Sequence, residues 1–120
     1  MLLCDSVSAD PSNRKKVTVQ GLLSSISCKG KTFPVSGEFS VYLQLSECRR
    51  PGEGWIRVVD DSDEEVHRGQ RFTLNFSGDP LETYAIAIRL ENCVFPEPGV
   101  YFVEFVFEGN LLAKEPLLVR

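Results

Sequence analysis

The chain has 120 residues, 42% of them hydrophobic and 25% charged, a composition that excludes wholesale disorder and supplies one domain of ordinary size, residues 1–120. Seventeen acidic residues against thirteen basic ones leave a formal net charge of -4, which speaks against a nucleic-acid or anionic-membrane partner. No stretch approaches the ~20 continuous apolar residues of a membrane helix.

Met1-Leu2-Leu3-Cys4-Asp5 lacks the basic segment and apolar run of a secretory signal, so a cytoplasmic chain is expected. Leu2 to Val7 reads as a first strand. Asp10-Pro11-Ser12-Asn13 supplies turn chemistry: a proline without a donor and side chains that satisfy local backbone groups. Arg14-Lys15-Lys16 leads into Val17-Thr18-Val19, whose β-branched residues suit a strand. Gly21 breaks or bulges that strand, and Leu22 to Ser27 continues it.

Lys29-Gly30-Lys31 is a second turn, and Phe33 to Gly37, with Pro34, an edge or connection. Phe39, Val41, Leu43 and Leu45 then alternate with Ser40, Tyr42 and Gln44. A period of two places the four apolar side chains on one face of a strand. Cys48-Arg49-Arg50-Pro51-Gly52-Glu53-Gly54 is a loop. Trp55 to Val59 is the next strand, with Ile56 and Val58 inward and Arg57 outward. The acidic run Asp60 to Glu65 is a solvated turn, and Val66 to Gly69 a brief strand ending in another.

Phe72, Leu74 and Phe76 alternate with polar residues as a half-buried strand, closed by the turn Ser77-Gly78-Asp79-Pro80. Tyr84, Ile86, Ile88 and Leu90 share one face of the strand Thr83 to Leu90, and Glu91-Asn92 ends it. Phe95-Pro96-Glu97-Pro98-Gly99 is a rigid turn, since two prolines fix φ. Tyr101, Val103, Phe105 and Phe107 form one face of the strongest strand, Tyr101 to Glu108. Gly109-Asn110 predicts a two-residue hairpin of the primed type. Leu111 to Val119 returns antiparallel, and Pro116 marks it as an edge strand or the site of a bulge.

Seven to nine strands with turns near every ten residues, and no helical stripe, predict an all-β fold. Its arrangement is a two-sheet antiparallel β-sandwich, with a small barrel as the rival. One face of each strong strand is apolar and the other mostly wet.

The polar residues offer little chemistry. Asp60, Asp61, Asp63 and Glu64 are weak calcium candidates. The EF-hand spacing fails, because no glycine stands at the sixth position and no glutamate at the twelfth. His67, the one histidine, has no Gly-x-Ser-x-Gly elbow to serve. Glu104 and Glu108 lie four apart because strand faces alternate, which needs no glycosidase to explain it. Phosphate-binding glycine loops are absent. The basic islands Arg14-Lys15-Lys16 and Arg49-Arg50 lack interleaved aromatics. Four cysteines, Cys4, Cys28, Cys48 and Cys93, contain no Cys-x-x-Cys pair and read as buried free thiols. No cofactor is expected, and no enzyme.

Interaction residues are the more promising class. Tyr42, Phe102 and Val106 lie opposite the main apolar row of their strands. If these strands share a sheet, they form an exposed patch for a homodimer or a protein partner. Trp55, after a glycine-rich loop, is a candidate anchor. A pocket near Trp55, His67 and the Asp60–Glu65 loop would instead favour a small-ligand or carbohydrate-binding module.

Leu3-Cys4-Asp5, Gly21-Leu22-Leu23, Phe95-Pro96-Glu97-Pro98-Gly99-Val100-Tyr101, Leu111-Leu112-Ala113 and Pro116-Leu117-Leu118-Val119 together resemble a family of small bacterial proteins of unknown function, each a single β-sandwich domain. The resemblance implies an immunoglobulin-like sandwich of bacterial cytoplasmic origin. It implies no activity, ligand or catalytic residue. The expectation is a non-enzymatic structural or protein-interaction module, with ligand binding as the alternative.

Overall fold

A computed structural model of the chain describes all residues except 47–49, 76–80 and 82, and all described side chains except those of 13–15. Predicted features at Cys48, Arg49, Phe76 and the turn 77–80 lie outside the described residues. Ten strands and no helix are present among the described residues: β1 (Leu2–Asp10), β2 (Asn13–Leu22), β3 (Ser25–Ile26), β4 (Val35–Leu45), β5 (Gly52–Val59), β6 (Glu65–Arg68), β7 (Phe72–Leu74), β8 (Tyr84–Phe95), β9 (Gly99–Phe107) and β10 (Asn110–Val119). That exceeds the seven to nine expected, because β3, two residues long, is too short to show a period; β7 falls within the strand predicted at Phe72–Phe76.

The strands form two sheets packed face to face. The first has the order β2-β1-β4-β8. The second has the order β3-β10-β9-β5-β6, with β7 beside β5 below β6. The alternating rows close on one another as predicted: Phe39, Val41, Leu43 and Leu90 of the first sheet meet Ile56, Val58, Tyr101, Val103 and Phe105 of the second. At about 25 cal/mol per Å² of apolar surface, burial of these rows is the main force holding the layers together.

The second sheet is mixed rather than antiparallel. After Leu22 the chain leaves the first sheet, and Ser25–Ile26 runs parallel to Leu118–Val119 of β10. The predicted continuation of β2 to Ser27 is therefore wrong. Its adjacent leucines, Leu22 and Leu23, mark the crossing, where Leu23 N–H still bonds the Leu3 carbonyl at 2.8 Å.

Gly21 neither breaks nor bulges its strand. The pairing of β1 with β2 keeps one register through it, and shifts only at Ala9/Asp10. Gly21 has φ 68°, and a Cβ there would lie 2.2 Å from Asp5 Oδ2. Glycine lets the strand twist while the Asp5 carboxylate packs on its backbone. Similarly, Glu91-Asn92 does not end β8. The strand runs on to Phe95 with a register shift opposite Gly37/Phe39, absorbed by Asn92 at φ 55°.

The last hairpin turns one residue earlier than predicted. Phe107 pairs with Asn110, and Glu108 and Gly109 carry φ values of 50° and 77°, the two positive angles of a primed turn. The β10 bulge lies at Leu111/Ala113, not at Pro116. Pro116 stands where β10 has an open side, since β3 pairs only with Leu118 and Val119, and there a missing donor costs no ladder bond.

Strand β1 extends past Val7 to Asp10 but pairs with β4 only at Leu2, Leu3 and Cys4. Beyond Cys4, β1 and β2 form a two-stranded arm. Its tip is closed by Asp10 Oδ1, which accepts from Ser12 N–H at 2.8 Å and from Ser12 Oγ at 2.7 Å. The arm accounts for the 48 × 34 × 18 Å extents and a radius of gyration of 15.2 Å; a compact chain of this length is expected near ~13.6 Å.

Candidate interaction site

The interaction residues divide between the two outer faces. Tyr42 lies on β4, opposite Leu2 and Ala87, in the first sheet. Trp55 and Val106 are cross-strand neighbours in the second sheet, where Phe102 pairs with Val59. The single patch joining Tyr42 to Phe102 and Val106 therefore does not exist, because β4 and β9 belong to opposite layers. Val106 is only 4% exposed, so the second face of β9 is not wet either. As the central strand, β9 has neighbours on both sides that cover it.

The outer face of the second sheet is built from stacked cations. Arg71 lies 4.8 Å from the centre of the Trp55 ring and Arg68 lies 6.0 Å from it. Lys114 Nζ lies 4.3 Å from the Phe102 ring. Such contacts are worth about 0.5–1 kcal/mol each at exposed positions. The Trp55 Nε1 is buried with no hydrogen-bond partner among the described residues. Between the two aromatics sits Glu104, 2% exposed, with Oε1 2.7 Å from Arg57 Nε and Oε2 3.8 Å from Lys114 Nζ. This carboxylate is a structural counter-ion, held by a strand neighbour on each side.

The flank of the sandwich is different. Among the described residues, β8 pairs with β4 alone, and β6 and β7 form the facing edge of the other sheet. Between these edges runs a groove of about 740 Å³. Its apolar lining includes Ile86, Ile88 and Leu90 from β8 and Phe72 and Leu74 from β7. Ile86 and Ile88 point inward yet remain half-buried, since among the described residues no strand closes the layer beside them. The groove narrows at Gly69, where a Cβ would meet the Ile56 carbonyl at 3.1 Å and Leu90 at 3.6 Å.

His67 lines this groove, opposite Val58. Trp55 and the Asp60–Glu65 loop do not, so the three features expected to share a pocket are separated. The loop folds on itself instead: Asp60 Oδ1 accepts from the N–H groups of Ser62 and Glu64, both at 2.9 Å. Asp63 sits at φ 64°. Among the described residues, no three His, Cys, Asp or Glu side chains are placed to hold a metal ion.

Cys4, Cys28 and Cys93 are free and buried. Burial pushes the Cys93 thiol up to about 12 and raises that of Cys4, where the neighbouring Asp5 charge adds to the effect. The Cys4 and Cys93 thiols are protonated packing groups, poor nucleophiles near neutrality.

The match to a known family covers every residue. The chain belongs to the family of unknown function DUF6941, whose model spans residues 1–120. Comparison with curated proteins gives no match. The family brings no specific function with it, so the groove and the two faces are read on their own geometry. Sequence reasoning missed the groove altogether. Its walls come from β6–β7 and β8, and alternation within each strand says nothing about which edges face each other. No helix among the described residues is long and apolar enough to cross a membrane.

Proposed function

We propose that this chain is a non-enzymatic protein-interaction module, a β-sandwich of immunoglobulin-like connectivity that receives an extended partner segment along the side of β8 facing away from β4, at Ala85–Leu90. The carrying observation is that, among the described residues, the Ala85–Leu90 part of β8 pairs with β4 alone and borders a partly apolar groove. An open edge presents alternate N–H and C=O groups to a new strand, and flanking pockets take its side chains.

Two features support the immunoglobulin-like connectivity. The chain crosses between sheets from β4 to β5 and from β8 to β9, as in Greek-key sandwiches. Tyr101, near the start of β9, donates its hydroxyl to the Glu97 carbonyl at 2.5 Å, as the corner tyrosine of that fold does. Buried free thiols at three of the four cysteines suit a reducing compartment. The bacterial cytoplasmic origin implied by the family resemblance is kept on that basis.

The test is backbone amide exchange with and without a neutral heptapeptide of alternating Val and Gln. Slowed exchange at alternate residues from Ala85 to Leu90 is the expected result. Unchanged exchange there at millimolar peptide refutes strand addition. The groove volume also falls in the ~300–1,000 Å³ range of small-molecule sites. A saccharide panel that shifts Phe72 and Leu74 resonances, with β8 amides unprotected, would establish the ligand-binding alternative.

A further inference from the structure

We infer that the strand added along β8 is β8 of a second copy of this chain, paired antiparallel across a two-fold axis at Ala87; the inference rests on the strand-addition reading above. Sheet edges that stay single are protected by charge, proline, bulges or brevity. Edges elsewhere in the fold carry such protection. Lys16 stands on β2 and Pro116 on the open side of β10. Strand β6 is four residues long, with Glu65 and Arg68 among them. The β8 stretch Ala85-Ile86-Ala87-Ile88-Arg89-Leu90 is longer, and its register with β4 holds until the shift beyond Leu90. Its one charge leans away from the edge. Arg89 reaches back across β4 and donates to the Asp5 carbonyl at 2.6 Å, to Ser40 Oγ at 3.2 Å and to Glu38 Oε2 at 3.1 Å.

The stretch is complementary to itself. With Ala87 opposite Ala87 of the second copy, Ile86 meets Ile88 and Ala85 meets Arg89. Both faces then agree, since even-numbered residues point inward in each copy and odd-numbered ones outward. The half-buried Ile86 and Ile88 gain the neighbouring strand that, among the described residues, the first sheet lacks beside them. On the outer face the exposed Ala85 and Ala87 leave room at the axis. The two Arg89 positions lie four residues apart along the paired strands, ~14 Å, and each keeps Glu38 of its own copy as counter-ion. No like charges meet. An uncharged edge takes an uncharged strand, and a two-fold contact satisfies the same edge of both copies at once and closes the assembly at two.

The experiment is light scattering from micromolar to millimolar protein, with amide exchange at the same concentrations. The mass is expected to double, and exchange to slow at alternate residues from Ala85 to Leu90 as it does. Ala87→Lys and Ala87→Glu each set like charges face to face at the axis, and each alone should be monomeric. Mixed, they should dimerise about tenfold more tightly than either alone, because opposite charges then meet. Circular dichroism confirms that each variant is folded, and the recovery on mixing is a result that a folding defect does not produce. A dimer that survives both substitutions, or that leaves Ala85–Leu90 unprotected, overturns the inference. So does a monomer up to millimolar protein. If the Val–Gln heptapeptide protects β8 in that monomer, strand addition stands with a different partner; if it does not, both readings fall.

Discussion

Arg57→Ala is expected to destabilise the protein more than Glu104→Gln, although the two remove opposite ends of one ion pair. The Glu104 carboxylate is 2% exposed, whereas the Arg57 side chain is 31% exposed. Removing Arg57 leaves a buried anion with only the Lys114 ammonium, 3.8 Å away. An uncompensated buried charge costs about 3–5 kcal/mol, and the remaining lysine places this variant near the lower figure. Removing the charge of Glu104 strands two cations that reach water, and the glutamine oxygen still accepts from Arg57. That loss is about 1–2 kcal/mol. At roughly 4 °C per kcal/mol for a domain of this size, the melting temperature falls by about 12 °C in the first case and about 4–8 °C in the second. Urea unfolding of both variants, and of the double variant, measures the difference. The double variant should be no less stable than Arg57→Ala alone, since its buried group is neutral. A Glu104→Gln loss equal to or larger than that of Arg57→Ala would refute the argument that the carboxylate is the costly partner.

Alkali should weaken the fold in a specific window. The Cys93 thiol titrates at about 12 in the fold against 9.0 in the unfolded chain, so the unfolded state loses its proton first. Stability is therefore complete below pH 9 and falls by about 1.4 kcal/mol per pH unit up to the folded value. Burial also raises the Tyr101 phenol above 10.0, adding to the decline above that pH; urea midpoints that stay level from pH 8 to 11 contradict this. Gly21→Ala should cost about 2–3 kcal/mol, through positive φ and displacement of Asp5, whereas Gly30→Ala should cost only the ~1 kcal/mol of its backbone angle, because nothing lies within 4 Å of a Cβ there. Equal losses in calorimetry would discard the contact with Asp5. Arg89→Ala removes the tie from β8 to the Asp5 carbonyl. Exchange of the Ser6–Ala9 amides should rise about fivefold, the equivalent of one hydrogen bond near 1 kcal/mol, while the Tyr101 environment is unchanged.

Local chemistry carried much of the fold. The alternation at Phe39–Leu45, Ile56–Val58, Tyr84–Leu90 and Tyr101–Phe107 depends only on successive side chains pointing to opposite faces of a strand. It correctly set the all-β class, the inward rows and the meeting of two layers. The turn at Pro11-Ser12 was legible for the same reason, since its residues act on their own backbone, and the last hairpin was legible to within one residue, expected at Gly109-Asn110 and formed by Glu108-Gly109. The short strand β3 was not. Ser25–Ile26 is a strand because β10 lies beside it, not because of its residues.

The candidate site shows the division most plainly. Alternation placed Tyr42 and Phe102 each opposite a core row, but a period of two assigns a face and never a layer, so it joined two residues that the fold sets on opposite sides. Which strands are edges, and which edges face one another, is decided by pairing between segments far apart in the chain. Only that pairing made Glu104 a buried counter-ion, brought Arg68 and Arg71 over Trp55, and set Ile86 and Ile88 across a groove from Leu74.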